Sequence, residues 1–282
     1  MLYAFNVVMS GTQNFRNGAS SPTPEADTWA KDYLVQRVNA KGIPLNVLTD
    51  LTDSLPAPTA HPPTLSEADF VSAAADLGVE VAAVHAVQEV EVGVGGHGFG
   101  PDGRPIIRYE LHIFQGQPKK DGHGHVVHDE GGEAVYGGQT EGHFRKTHPY
   151  LSQPSLGAGN AYHSGGQKRE YSMLYNAMLL KYKAGRAIEQ AIASTSWGRF
   201  QVMGFNYGGY PADSALEFAR AMYVSEGNHL KAFLGYIRSA HLVHALQRHD
   251  WAAVARGYNG PGYAVNNYDG QLEDAYDRWS HK

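Results

Sequence analysis

The chain has 282 residues, 42% of them hydrophobic, enough for one large packed domain or one domain with a small extension. It contains no cysteine, which excludes a disulfide framework and a thiolate metal site and suits synthesis in a reducing compartment. A formal net charge of −5 offers no general attraction to nucleic acid or to anionic membranes.

In chain order, Leu2 to Val8 reads as a short strand. Met1 to Gly11 lacks the basic leading segment and small-residue cleavage pattern of a signal peptide. Pro24 to Ala40 reads as an amphipathic helix: Thr23 can cap, Pro24 suits the first turn, and Trp29, Tyr33, Leu34 and Val38 share a side. The run from Leu55 to Pro63 is proline-rich and is expected to be an extended linker, so the boundary falls there: residues 1–60 are an extension and residues 61–282 a second, larger domain. Thr64 to Glu67 has capping-box spacing, and Phe70, Ala74 and Leu77 form an apolar stripe that stops at Gly78. The next helix is expected over Val81 to Glu91.

Residues 93 to 166 are rich in glycine and histidine, with short alternating apolar runs such as Pro105 to Phe114; hairpins and long loops are expected, forming a lobe beside a helical body. Helices resume at Gln167, where Tyr171, Leu174, Tyr175, Met178 and Tyr182 have helical spacing. An apolar helical run ends near Ala193, turns through Ser194 to Gly198, and enters a second short helical run. Ser214 and Glu217 make another capping box, Leu230, Phe233, Leu234, Ile237 and Leu246 mark one long helix, and Leu272, Ala275, Tyr276 and Trp279 mark the last. The fold expected is mainly α, of the α+β kind. No run reaches the roughly 20 apolar residues of a membrane span.

Three pieces carry chemical promise. The helix from Val81 ends in Gln88-Glu-Val-Glu91. At about 100° per residue Glu91 falls on the apolar face with Val84 and Val87, flanked also by Val90 and Val94, whereas Glu89 lies some 200° round beside His85 and is expected to be solvated. A carboxylic acid in apolar surroundings keeps its proton near neutral pH, because desolvation disfavours the anion. The second piece is Ala193 to Phe205, where Gly198 permits a positive φ. The third is Ala255-Arg-Gly-Tyr-Asn-Gly-Pro-Gly-Tyr263, a turn that carries Tyr258 and Asn259.

In that order, a helix-end glutamate, a G-x-x-Q-x-M turn and a Y-N-G-P-G loop resemble the signature blocks of goose-type lysozymes and soluble lytic transglycosylases. The blocks E-V-E, G-F-x-x-D-G-R-P, Y-E-L-H-I-F, S-W-G-x-F-Q-V-M-G-F and D-W-A-A-V-A-R-G-Y-N-G-P-G-Y are similar to the N-acetylmuramidase domain of phage endolysins, from about Leu65 to Trp279. The resemblance implies a lysozyme-like helical domain with a small β and loop-rich lobe. It implies a peptidoglycan hydrolase that cleaves the β-1,4 bond between N-acetylmuramic acid and N-acetylglucosamine, with Glu91 as general acid and no cofactor. Glu110, in a block similar to the family's F-E-R-H with Leu111 in place of the basic residue, is either a second acidic group or a structural carboxylate. Val92 stands where the family tends to have serine.

Ser196, Trp197, Gln201, Met203, Tyr258 and Asn259 are the expected substrate-binding residues, with glycan strands of bacterial peptidoglycan as partner. Because wall is itself largely anionic, binding rests on cleft contacts rather than net charge. Neither nucleic acid nor membrane insertion is expected. The protein is expected to be made in the cytoplasm and to reach the wall after release or delivery, in which residues 1–60 are candidates for a docking role. A lytic transglycosylase giving 1,6-anhydro products, and a non-catalytic glycan-binding component of a phage or secretion device, stay open as alternatives. The histidines His112, His123, His125, His128, His143, His148 and His163 raise a metal site, but they lack a helical frame that would converge ring nitrogens, so none is expected.

Overall fold

A computed structural model describes residues 54–93, 96–152, 166–260 and 262–282. The strand expected at Leu2 to Val8, the helix at Pro24 to Ala40, and His163 lie outside the described residues. The body is mainly α with small antiparallel sheets. Helix α1 (Glu67–Leu77) is followed by α2 (Val81–Val92), and a strand β1 (Ile107–Tyr109) runs into a single turn of helix, α3 (Leu111–Gln115). After the loop-rich lobe come α4 (Gly166–Met178), a short hairpin of β2 (Lys181–Tyr182) and β3 (Gly185–Arg186), α5 (Ile188–Ala193), and a second hairpin of β4 (Thr195–Trp197) and β5 (Val202–Met203). A 3₁₀ turn (Gly204–Gly209) leads to α6 (Ala215–Met222), α7 (Glu226–Ser239), α8 (Val243–Gln247), α9 (Trp251–Asn259) and the last helix, α10 (Tyr268–Ser280).

Local chemistry explains the ends. Ser66 caps α1, exchanging bonds with Asp69, and Gly78 closes it at φ 65°, a backbone state that a residue without Cβ adopts at little cost. Ser214, Ser225 and Asp250 cap α6, α7 and α9 by accepting the N–H of the third residue on. The core joins these helices to one face of a three-stranded sheet of order β1-β4-β5.

Several expectations need correction: the helical spacing through Tyr182 breaks after Met178, and Tyr182 lies on β2. The run after Gly198 is not helical: β4 turns through residues 198–201 into β5, with Gly198 at φ 72° and Gln201 at φ 47°. The long helix expected through Leu246 breaks after Ser239, where His241 turns at φ 58° and Leu246 lies on the separate α8. Glu89 is buried, because α10 packs across that face of α2: Trp279 Nε1 donates to Glu89 Oε2 at 2.8 Å, and Arg278 Nε donates to Oε1 at 3.1 Å. The proline-rich stretch is docked rather than free. Leu55 joins the core, Arg220 Nε donates to the Ser54 carbonyl at 2.8 Å, the Thr59 hydroxyl donates to the Tyr223 carbonyl at 3.2 Å, and the Glu226 N–H donates to the Pro63 carbonyl at 2.9 Å.

Candidate active site

The sheet has two faces, and their side chains divide by register. Ile107 pairs with Trp197 and Trp197 with Val202, and all three point into the core. The intervening row pairs Arg108 with Ser196 and Ser196 with Met203, so these three share the opposite face. Glu110 lies two residues beyond Arg108 on extended backbone (φ −97°, ψ 97°) and continues that row. Its carboxylate forms an ion pair with Arg108, Oε1 lying 3.1 Å from Nε, and stands 3.3 Å from His112 Nδ1.

Glu91 comes to this region from the last turn of α2, and Asn259 from the last turn of α9. Asn259 Nδ2 donates to Glu91 Oε1 at 3.3 Å. Burial pushes the Glu91 carboxyl up to about 7, against the Asn259 bond and the charge of Arg108, both of which favour the anion. Its place at the carboxyl end of a helix opposes the anion as well. Three tyrosines feel its charge. Burial, and then the Glu91 charge, raise the phenols of Tyr236 from α7, Tyr258 from α9 and Tyr268 from α10. The Tyr268 phenol also feels the charge of Arg108, which lowers it, and of Glu110, which raises it.

The expected binding residues fare differently. Asn259 meets the acid directly. Tyr258 does not bond it; its hydroxyl donates to the Phe200 carbonyl at 2.5 Å and ties α9 to the β4–β5 turn. The Gln201 amide is occupied within the turn, donating to the carbonyls of Gly198 (2.7 Å) and Ile106 (3.2 Å) and accepting from the Ser196 hydroxyl (2.9 Å). Its oxygen keeps a second lone pair, and Ser196 and Met203 stand on the sheet's outer row. Trp197 is corrected to a core residue: its ring is fully buried, and its indole N–H donates to the Ile192 carbonyl at 3.3 Å. The bulk of Trp on the inward side fixes the hairpin against the helices.

Sequence reasoning missed the clamp behind the site. Glu226, fully buried at the start of α7, accepts from the Gly98 N–H (2.5 Å), the Leu65 N–H (2.9 Å) and Arg199 Nη1 (2.7 Å). Arg199 Nη2 reaches Gln88 Oε1 on α2 at 3.2 Å. One helix turn later His229 Nε2–H donates to the Met222 carbonyl (2.8 Å), while Nδ1 accepts from the Arg199 N–H (3.1 Å). Burial holds His229 down at about 4, so the neutral tautomer that these two bonds require persists at neutral pH. A Cβ on Gly98 or on Gly198 would lie within 2.6 Å of the His229 ring, so both loops reach it only as glycine. The loop after α2 and the β4–β5 turn are thereby fastened to one helix. Arg108 could have been found from its two-residue spacing to Glu110; nothing in the sequence marks Glu226 or Tyr268.

Among the described residues, no three or more His, Asp or Glu side chains are grouped to hold a metal ion. His123 and His125 are exposed, and Asp121 beside them accepts their backbone N–H groups.

The N-acetylmuramidase family model matches residues 80–280, a span that contains Glu91, Glu110, both sheet rows, Arg199, Glu226 and His229. The chain belongs to the N-acetylmuramidase family. The muramidase is similar to a solved structure, the Burkholderia AP3 phage endolysin, at 33% identity and a TM-score of 0.58, over 79% of this chain and 73% of that one. No curated protein matches the chain. The muramidase is therefore a glycoside hydrolase that acts on peptidoglycan, built on the mainly α, lysozyme-like fold expected from its sequence.

Proposed function

We propose that the enzyme cleaves the β-1,4 bond between N-acetylmuramic acid and N-acetylglucosamine, with Glu91 as the general acid. The observation that carries this reading is the Glu91 carboxyl, raised by burial to about 7 and therefore largely protonated below neutrality, yet hydrogen-bonded to Asn259 at the edge of a polar cleft face. In the forward step the Glu91 proton passes to the glycosidic oxygen and the bond from that oxygen to the muramic acid anomeric carbon breaks. Water adds to that carbon and gives up a proton. Glu110, held by Arg108 and His112, is the second carboxylate in position to orient the water and accept its proton. Ser196, Gln201, Met203 and Asn259 line the glycan's path, and Tyr258 holds the wall that carries Asn259. No step requires a metal or a cofactor.

Its partner in this reading is the peptidoglycan glycan strand, reached through specific contacts because the chain's net charge of −5 does not favour anionic polymers, nucleic acid included. No single helix among the described residues is long and apolar enough to cross a membrane. Action at the wall then follows synthesis in the cytoplasm and release or delivery, and residues 1–60 are the candidate docking segment. The test is the product: purified peptidoglycan digested by the enzyme should yield fragments with reducing-end muramic acid. Fragments ending in 1,6-anhydro-muramic acid would instead make the substrate's own hydroxyl the nucleophile and the enzyme a lytic transglycosylase.

A further inference from the structure

We propose, on the reading of Glu91 as the acid, that Tyr236 is a positioning residue: its hydroxyl fixes the end of α9 and, through Asn259, the direction in which Glu91 presents its carboxyl. A chain of hydrogen bonds makes the link. Asn259 is the last residue of α9 and donates through Nδ2 to Glu91 Oε1 at 3.3 Å. Two residues earlier, the Gly257 carbonyl would ordinarily accept from the N–H four positions on, but that position is Pro261, which has none. Tyr236 supplies the missing donor from α7, its hydroxyl lying 2.6 Å from the Gly257 oxygen.

The same turn of α9 is gripped a second time. The Tyr236 ring meets the Tyr258 ring edge-on, with centroids 5.2 Å apart and planes at 82°, and the Tyr258 hydroxyl donates to the Phe200 carbonyl at 2.5 Å. Phe200 in turn stacks on Phe233 of α7, centroid to centroid at 4.6 Å. Gly257 and Tyr258 are thus both tied to α7, one by a hydrogen bond and one through rings, and Asn259 is the next residue. A helix end is where backbone opens most readily, and here it carries the donor that holds the acid. Without the Tyr236 hydroxyl, the Gly257 carbonyl loses its donor and the Asn259–Glu91 bond loses its footing.

The test is a double-mutant cycle on kcat with soluble peptidoglycan fragments, using the wild type, Tyr236→Phe, Asn259→Ala and the double variant, with Glu91→Gln beside them. Tyr236→Phe keeps the ring and removes one hydroxyl. It should lower kcat by about three- to tenfold with KM little changed, and Asn259→Ala should lower it further. The double variant should match Asn259→Ala within about twofold, because the hydroxyl acts through the amide. The alkaline limb of the pH profile should move upward in all three variants, since the Asn259 bond favours the Glu91 anion. Other groups do not confuse that shift: Arg108, whose charge Glu91 feels, is common to every variant, and the phenols of Tyr258 and Tyr268 are raised by burial and stay neutral. If Glu91→Gln is inactive but the two single effects multiply in the double variant, or Tyr236→Phe keeps the wild-type kcat, the Tyr236 inference is overturned while the acid stands. A limb that stays in place while kcat falls would mean a merely structural role and overturns it as well. If Glu91→Gln retains activity, the acid assignment fails and takes the inference with it. Should Asn259→Ala not fold, Asn259→Leu, which keeps the shape and lacks the donor, takes its place in the cycle.

Discussion

Replacing Glu91 by Gln should make the protein more stable above neutral pH. In the folded state the carboxyl is pushed up to about 7 from an ordinary 4.5. Between those values the folded protein holds a proton that the unfolded chain has released, so stability falls as pH rises through this window and is level above it. The gap is about two and a half pH units, and at ~1.4 kcal/mol per unit the wild type gives up ~3 kcal/mol by pH 8. Glutamine carries no charge at any pH and offers Asn259 a carbonyl in place of the carboxylate oxygen. Relative to the wild type it should therefore be near neutral at pH 4 and stabilising by about 2–3 kcal/mol at pH 8. At roughly 2–4 °C per kcal/mol for a domain of this size, Tm should rise by about 4–12 °C. Thermal or urea unfolding of both proteins across pH 4–9 measures this. Two stability curves that stay parallel from pH 4 to pH 8 would refute the reasoning, because they would mean that folding does not perturb the Glu91 carboxyl.

Glu89→Gln should lower stability by about 1–3 kcal/mol at pH 7, since it weakens a buried carboxylate's bonds to Arg278 and Trp279, and its effect on turnover should be far smaller than that of Glu91→Gln; urea midpoints and reducing-end assays separate the two. Leu55→Ala should cost about 2–4 kcal/mol by the same unfolding measurement, because Leu55 is packed in the core; a change below 0.5 kcal/mol would restore the free linker. His229 is held at about 4 against an ordinary 6.5, so the folded state binds fewer protons between those values and stability should drop as pH falls from 6.5 to 4; His229→Gln, which cannot titrate, should remove that part of the acid loss. Treating the enzyme with a chelator should leave wall cleavage unchanged, because proton donation by Glu91 needs no Lewis acid; loss of activity restored by zinc would revive the histidine-rich lobe as a metal site.

What the sequence revealed depended on how local the determining physics is. The stripe Phe70, Ala74 and Leu77 with Gly78 after it is self-contained, and α1 ends as expected. That Glu91 and Glu89 point apart was legible because one helix's period decides which face each occupies. The same period misjudged Glu89, since the wheel of α2 cannot show that α10, almost two hundred residues later, covers its second face with Arg278 and Trp279. Leu55 was misread for a related reason: proline content argues for extended backbone, and it is silent on whether that backbone lies along the body. The run from Arg199 to Phe205 failed on turn chemistry. A left-handed Gln201, braced by its own amide against Gly198 and Ile106, turns the chain into a hairpin, where apolar spacing suggested a helix. The clamp through Glu226 lay beyond sequence reading altogether, because a capped helix start followed by glutamate is usually a solvated one, and its three partners are scattered over 134 positions of chain from Leu65 to Arg199.

The central claim is that Glu91 donates the proton that breaks the glycosidic bond, and it is tested most directly by the rate at which Glu91→Gln releases new reducing ends from purified peptidoglycan at pH 6, beside a sedimentation assay of its binding to the same walls. The account predicts a rate lower by about 10² to 10⁴ with binding retained. A variant that cleaves within about tenfold of the wild type would contradict it, because general acid catalysis by a group that can be neutralised at so small a cost would fall well short of that contribution.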